Sequence, residues 1–405
     1  MRIIMLTDRF PPEIRSAAQL FYDLARELQR RGHGVWVITR VPSNYFADGS
    51  DIAVSAGWAE VGGISTLRID GGPLLSYHPV ARGLDQLTTA WNFWRSAHTW
   101  PEADIVLVYS PPLPLAEVGI RYSRRSAVPF ILNVQDLYPQ TAMDLGLLKN
   151  RAAVRVAEFM ERRGYSRAAR IVVHSKGNKE FLINRKGVRE EKVEVIYNWV
   201  DFEALELHAS NNRLRRELGL DGKFVVSYAG IMGYAQDLNP VLQCADLLRE
   251  EACFLLAGEG ALEHRWRQMA RDKKLTNVLF LPLQPRERYL ELLAASDVCL
   301  VPLAEQLRTP VVPGKLQSIM AFGRPVVGIA GLEGDMPKII EQSGAGLSVQ
   351  PGNPGELSEA LRYLRMNPAL RVEMGGKGRI FAQSHFSLKA AADAYEKLVQ
   401  EILVY

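Results

Sequence analysis

Asp297-Val-Cys-Leu-Val-Pro-Leu303, and after nine further residues Pro313-Gly-Lys-Leu-Gln-Ser-Ile-Met-Ala-Phe-Gly-Arg-Pro-Val-Val327, is the stretch on which the fold turns. The first segment is a short apolar run that reads as a buried parallel strand. A loop with Arg308, Thr309, Gly314 and Lys315 follows it, and Leu316 through Phe322 reads as a helix. Gly323 can end that helix in a left-handed conformation and Pro325 cannot continue it, so Val326-Val327 opens the next strand. Strand, loop, helix and strand make one βαβ unit. The backbone N–H groups of a helix start, with two cations beside them, form a cradle for a diphosphate.

The same alternation extends in both directions. Apolar runs at 2–7, 34–39, 105–109, 130–134, 171–174 and 193–197 read as strands of a first series. Runs at 224–229, 254–257, 278–281, 298–301, 326–329 and 346–349 read as a second. Amphipathic helical runs lie between, as at 17–31, where Phe21, Leu24, Ala25 and Leu28 share a face. This is an α/β pattern of parallel sheets covered by helices. At 405 residues the chain exceeds what one core usually serves. Two Rossmann-like domains are expected, residues 1–200 and 201–384, with a final helix over 388–403. In such sheets ligands bind beyond the carboxyl ends of the strands.

Composition narrows the function. No apolar run has the length of a membrane-spanning helix, and Met1-Arg-Ile-Ile-Met-Leu6 reads as a first strand rather than a signal peptide. Cys244, Cys253 and Cys299 stand in apolar surroundings at no metal-ligand spacing and read as reduced core residues of a cytoplasmic protein. Net charge is +4, yet residues 1–200 hold 26 basic against 20 acidic residues, with the excess mostly between Arg151 and Lys192. That face suits either an anionic surface or solvent. No helix-turn-helix, zinc or aromatic RNA-binding signature accompanies it, so nucleic acid is not an expected partner. The histidines form no cluster at ligand spacing, and neither a metal nor another cofactor is expected.

The loop motifs resemble those of glycosyltransferase family 4, retaining enzymes of the GT-B fold. Pro313-Gly-Lys-Leu-Gln-Ser318 is closest to the WcaI- and WbuB-like branch of exopolysaccharide and O-antigen enzymes. The resemblance implies two facing Rossmann-like domains with a cleft between them, and the terminal segment 385–405 crossing back onto the N-terminal domain. It implies donor binding in the C-terminal domain. Gly230, Gly233 and Gln236 form one loop, Gly258 and Glu259 a second, and Leu283 lies at the segment that reads the base. Arg308, Thr309, Gly314, Lys315, Leu316 and Ser318 surround the phosphates and ribose.

Several positions depart from the family pattern. Ile231 and Gln236 stand where an arginine and a lysine are common, so Lys315 and Arg308 are left to offset the diphosphate charge. Two glutamates usual around the phosphate loop fall on Pro310 and Ser318. In the N-terminal domain, Arg15-Ser16 replaces a glycine pair in a loop that faces the donor phosphate and acceptor. Gln135-Asp136 stands where many relatives have His-Asp, with Tyr138 on the acceptor side. Glutamine is no proton base, which fits retention in which the leaving phosphate takes the acceptor proton. Asp136 is a candidate base or orienting group, with helix capping as its plain alternative.

Leu84, Leu87, Trp91 and Trp94 recur at helical spacing, with Phe93 and Trp100 beside them. They read first as a core face, and membrane contact is the alternative. The implied activity is transfer of a hexosyl or N-acetylhexosaminyl unit from a nucleoside-diphosphate sugar, UDP-linked, to a polysaccharide precursor or lipid-linked acceptor. The enzyme would use Lys315, Gln135 and Asp136 and no metal, with peripheral contact at the inner membrane face. Two alternatives are a nucleotide-sugar 2-epimerase, which Gln135 counts against, and a non-catalytic sugar-nucleotide-binding partner. The missing glycine fingerprint after the first strand counts against an NAD-dependent enzyme.

Overall fold

Two sheets carry the chain in the computed structural model, which describes residues 1–13, 16–42, 54–71, 79–206 and 213–404. The first has eight strands: β1 (Arg2–Leu6), β2 (Gly34–Arg40), β3 (Gly57–Val61), β4 (Ile64–Ile69), β5 (Ile105–Ser110), β6 (Phe130–Val134), β7 (Arg170–Val173) and β8 (Val193–Val195). Their order is β3-β4-β2-β1-β5-β6-β7-β8, all parallel except for the edge hairpin β3–β4. The second has six: β9 (Val225–Ala229), β10 (Cys253–Ala257), β11 (Val278–Leu281), β12 (Val298–Pro302), β13 (Val326–Ile329) and β14 (Gly346–Val349). Their order is β11-β10-β9-β12-β13-β14.

Helices cover both sheets, among them α1 (Ser16–Arg30), α2 (Pro79–Ser96), α3 (Pro114–Ser126), α4 (Arg151–Arg167), α5 (Asn239–Leu247), α6 (Arg286–Ala295), α7 (Gly314–Phe322) and α8 (Leu388–Val404). The compact units are Met1–Asn198 with Leu388–Tyr405, and Trp199–Ser387. The central strands β5 and β12 are wholly buried, which is why they read as unbroken apolar runs. In each sheet the strand order reverses beside the first strand of the unit: β1 lies between β2 and β5, and β9 between β10 and β12. Loops leaving those strands lie at the switch point where such sheets take ligands.

The α8 helix closes the first unit. Ala391, Ala392, Leu398 and Val399 are buried. Arg31 pairs with Asp393 at 2.6 Å and Glu396 at 2.5 Å, and His33 pairs with Glu396 at 2.6 Å. In the second unit α7 is anchored by Leu316, Ile319 and Met320, all buried, and each such side chain contributes about 2 kcal/mol. Gly323 ends it at φ +78°. Arg324 turns back to donate to the carbonyls of Leu293 and Ala294 at 2.9 and 2.7 Å, closing the carboxyl end of α6.

The edge hairpin went unread in the sequence because β3 is largely exposed and has no apolar run. The α2 stripe corrects the core reading. Leu84, Leu87 and Trp91 are 58, 49 and 55% exposed, while Phe93 and Trp100 are buried and Trp94 packs partly against the core.

Candidate active site

The second unit brings its glycine loops and Lys315 to one place. Gly230 follows β9 and Gly258 follows β10; the Gly230 N–H donates to Ala257 O at 2.9 Å, and Met232 N–H to Glu259 O at 2.8 Å. The two loops are therefore laced together beyond the strand ends. Their approach requires glycine: at Gly258, with φ +150°, a Cβ would lie 1.9 Å from Gly230 O. At Gly230, φ +148°, it would lie 2.8 Å from Lys315 Nζ. Gly233 and Gln236 close the following turn, with Gln236 N–H donating to Gly233 O at 3.2 Å.

Lys315 is the second residue of α7, whose start at Pro313 has no side-chain cap, so the N–H groups of Gly314 and Lys315 have no partner from a capping side chain. The ammonium donates to Tyr228 Oη at 3.2 Å and lies 4.2 Å from the centre of that ring. Tyr228 in turn donates to Ile231 O at 2.6 Å, fixing the loop after β9. Burial pushes the Lys315 ammonium down to about 7. A half-buried ammonium beside a ring, a hydroxyl and a helix start is arranged for an anion.

Other expected donor residues have mixed placements. The Leu316 side chain is fully buried, and its N–H donates to Pro313 O at 2.9 Å, so what it offers is helix anchorage. Ser318 donates back to Gly314 O at 3.4 Å. Thr309 is buried and Arg308 exposed, while Glu259 and Leu283 are half-buried. Gly314 is exposed at the helix start.

In the first unit, Gln135 and Asp136 follow β6. Gln135 Nε2 donates to Asn133 Oδ1 at 2.8 Å and Asn198 Oδ1 at 3.1 Å, and Asn198 Nδ2 donates to Gln135 Oε1 at 2.8 Å. Asn133 also lies 2.5 Å from Tyr395 Oη of α8 and 3.1 Å from His174 Nε2. Asp136 is exposed as a residue, while crowding around its carboxyl raises that group above the usual range. It caps no helix: the next one begins after Pro139 without a side-chain cap. Tyr138 is half-buried.

At the end of β1, Arg9 pairs with Glu13 at 2.5 Å and Arg68 donates to Pro11 O at 2.6 Å, folding the loop onto β4. Burial raises the Asp8 carboxyl to about 6. Ser16 is exposed at the first position of α1, and Arg15 lies outside the described residues. Among the described residues no group of three or more His, Cys, Asp or Glu could hold a metal, and no helix is long and apolar enough to cross a membrane.

Sequence reading missed Tyr228, Asn133, His174, Asn198 and Tyr395. Tyr228, two residues before Gly230 in a strand, carried no local sign of its lysine partner 87 residues away.

The family model for Glycosyltransferase Family 4 matches residues 17–204, and that for Glycosyl transferases group 1 matches 223–367. A protein of Escherichia coli (strain K12) described as a colanic acid biosynthesis glycosyl transferase, WcaI, is 26% identical over 388 residues, covering 91% of this chain and 93% of its own. The chain belongs to glycosyltransferase family 4. A second relative, described as a glycosyltransferase, WbjE, of Pseudomonas aeruginosa, is 24% identical over 80% of this chain and 81% of its own.

The GT-B fold of this family 4 chain recurs in solved structures. Sucrose-phosphate synthase from Thermosynechococcus elongatus superimposes with a TM-score of 0.81 at 17% identity, covering 100% of this chain and 99% of its own. Anabaena HepE in complex with UDP and glucose gives 0.74 at 17% identity, over 99% and 100%. Glycosyltransferase activity, with a nucleotide-sugar donor and a glycan acceptor, is what membership of this family carries.

Proposed function

We propose that the chain acts in cell-surface polysaccharide biosynthesis. It would transfer a hexosyl or N-acetylhexosaminyl unit from a UDP-linked sugar to a polysaccharide precursor or lipid-linked oligosaccharide, with retention and without a metal. One observation carries this reading: the desolvated Lys315 ammonium stands over Tyr228 at the open start of α7, against Gly230. Negative charge grows on the diphosphate as the glycosidic bond breaks, so a fixed cation and helix N–H groups there lower the barrier. They supply the positive charge that a metal supplies in other sites. The colanic acid assignment of WcaI supports a polysaccharide product, and the UDP bound by HepE supports the donor base. Retention is supported by Gln135, which cannot serve as a proton base.

A lipid surface belongs to the same reading. Helices α2 and α4 each pack against α3; α2 exposes Leu84, Leu87, Trp91 and Arg95, α3 exposes Arg121, and α4 exposes Val156, Phe159, Arg155 and Arg162. Apolar side chains set in arginines suit an anionic bilayer on which a lipid-linked acceptor would reside.

The test is UDP release from a panel of UDP-sugars, with and without acceptor extracts. The wild type is expected to hydrolyse one of them slowly and transfer it faster. Lys315→Ala should lose about 10²–10³-fold in kcat, as when one stabilising donor is removed from such a site. A chelator should leave the rate unchanged. Unaltered turnover in Lys315→Ala would overturn the assignment.

A further inference from the structure

Asn133, Gln135 and Asn198 form one chain of side-chain amides in the first unit, with Tyr395 and His174 attached to Asn133. Asn133, His174, Asn198 and Tyr395 are all at least nine-tenths buried. An amide has nearly the same shape end for end, so its direction is set by what its neighbours can give and take. His174 sets it here. Its Nδ1 lies 2.7 Å from Ile196 O, which only accepts, and its Nε2 lies 3.1 Å from the Asn133 amide.

Among the described residues no carboxylate contacts this ring, and burial pushes it down to about 4, so the ring is neutral with a single N–H. That proton belongs on Nδ1, toward Ile196 O. Nε2 is then an acceptor, and Asn133 must turn its NH2 toward it.

The consequences run through the chain without moving an atom centre. The Asn133 oxygen comes to face Tyr395 Oη, where 2.5 Å suits an O–H···O bond and is short for N–H···O. The second N–H of Asn133 points at Gln135, which must offer its oxygen at 2.8 Å. Asn198 turns with it, giving an N–H to that oxygen and taking one from the Gln135 nitrogen. Gln135 is left with one N–H that the chain does not use.

We propose that His174, Asn133 and Tyr395 are positioning residues that hold Gln135 with its oxygen inward and one N–H presented to an oxygen of the reacting sugars. The role in turnover rests on the transferase reading above; the hydrogen-bond direction does not. Tyr395 also makes the terminal helix α8 part of this arrangement.

Two measurements on the full chain separate these parts. With 15N-labelled histidine at pH 7, His174 should give the neutral signature with Nδ1 protonated and Nε2 bare. A proton on Nε2, or an imidazolium, overturns the proposal whether or not turnover is found. Once a UDP-sugar is turned over, Asn133→Asp, which offers acceptors alone, should turn Gln135 round. It should cut kcat about tenfold, with the donor KM within about twofold, as expected for one lost hydrogen bond. Gln135→Glu, of the same shape without an N–H, should lose as much in kcat with the donor KM again within about twofold, and it serves where Asn133→Asp fails to fold. Full activity in Gln135→Glu overturns the proposal. Absence of turnover in the wild type with every sugar nucleotide would count against the transferase reading and leave the histidine spectrum to judge the hydrogen-bond chain.

Discussion

Lys315 combines function with an energetic cost in one side chain. Its ammonium is shifted from 10.5 down to about 7, so folding with the charge present is opposed. The opposition is complete below pH 7 and disappears as pH rises past 10.5, where the amine is neutral in folded and unfolded chains alike. Lys315→Met is therefore expected to raise the melting temperature at pH 6, by about 2–4 °C for each kcal/mol relieved, and to raise it progressively less as pH climbs toward 10.5. The same variant should lose UDP binding. The protonated form holds the anion, so UDP affinity in the wild type should weaken as pH rises above about 7, by up to about tenfold per unit. Calorimetric titration from pH 6 to 9 checks this, and a flat profile would separate the ammonium from the diphosphate.

At the scale of elements, the loops after β9 and β10 work as one piece because backbone meets backbone there. Gly258→Ala would drive a methyl into Gly230 O, with no flexible side chain to give way. It is expected to unfold the loop pair and lower the melting temperature by several degrees, since strain of this kind costs about 1–3 kcal/mol. Gly230→Ala, at φ +148°, is strained in its backbone too, but its methyl meets a side-chain end, Lys315 Nζ, and no backbone atom. It should weaken UDP binding with a smaller effect on stability, and equal loss of stability in the two variants would contradict the packing described. These loops were legible in the sequence because glycine after an apolar strand marks close approach of backbone. Parallel strands were legible because burial on both faces makes them continuous apolar runs. The β3–β4 hairpin, exposed along β3, left no such run, although Gly62-Gly63 marked its turn. Tyr228 with Lys315, and Asn133 with His174, Asn198 and Tyr395, stayed hidden because each pairing joins elements far apart in the chain. Local periodicity says which residues share a face but not what that face meets.

For the whole molecule the open question of that kind is α2. Helical spacing placed Leu84, Leu87 and Trp91 on one side, which core packing would have covered, yet that side is exposed. Beside it α3 and α4 are tied together by Arg163 and Glu117 at 2.7 Å, and Arg121 lies 5.9 Å over the Trp94 ring. Val156 and Phe159 on α4, 59 and 57% exposed, add to the apolar part. Each arginine near an anionic bilayer contributes about 1 kcal/mol, screened within a Debye length, and the aromatic side chains add burial in the interface. The full chain should therefore sediment with phosphatidylglycerol vesicles, much less with phosphatidylcholine, and detach as salt is raised. Trp91→Glu with Phe159→Glu removes two apolar contacts and adds two like charges to the lipid's own. It should lower partitioning by at least about tenfold, since burying one large side chain is worth about 1.5–3 kcal/mol. UDP binding should persist in that variant, because the cradle around Lys315 belongs to the other unit. Undiminished sedimentation of the double variant would remove the lipid surface from the proposal while leaving the donor chemistry standing.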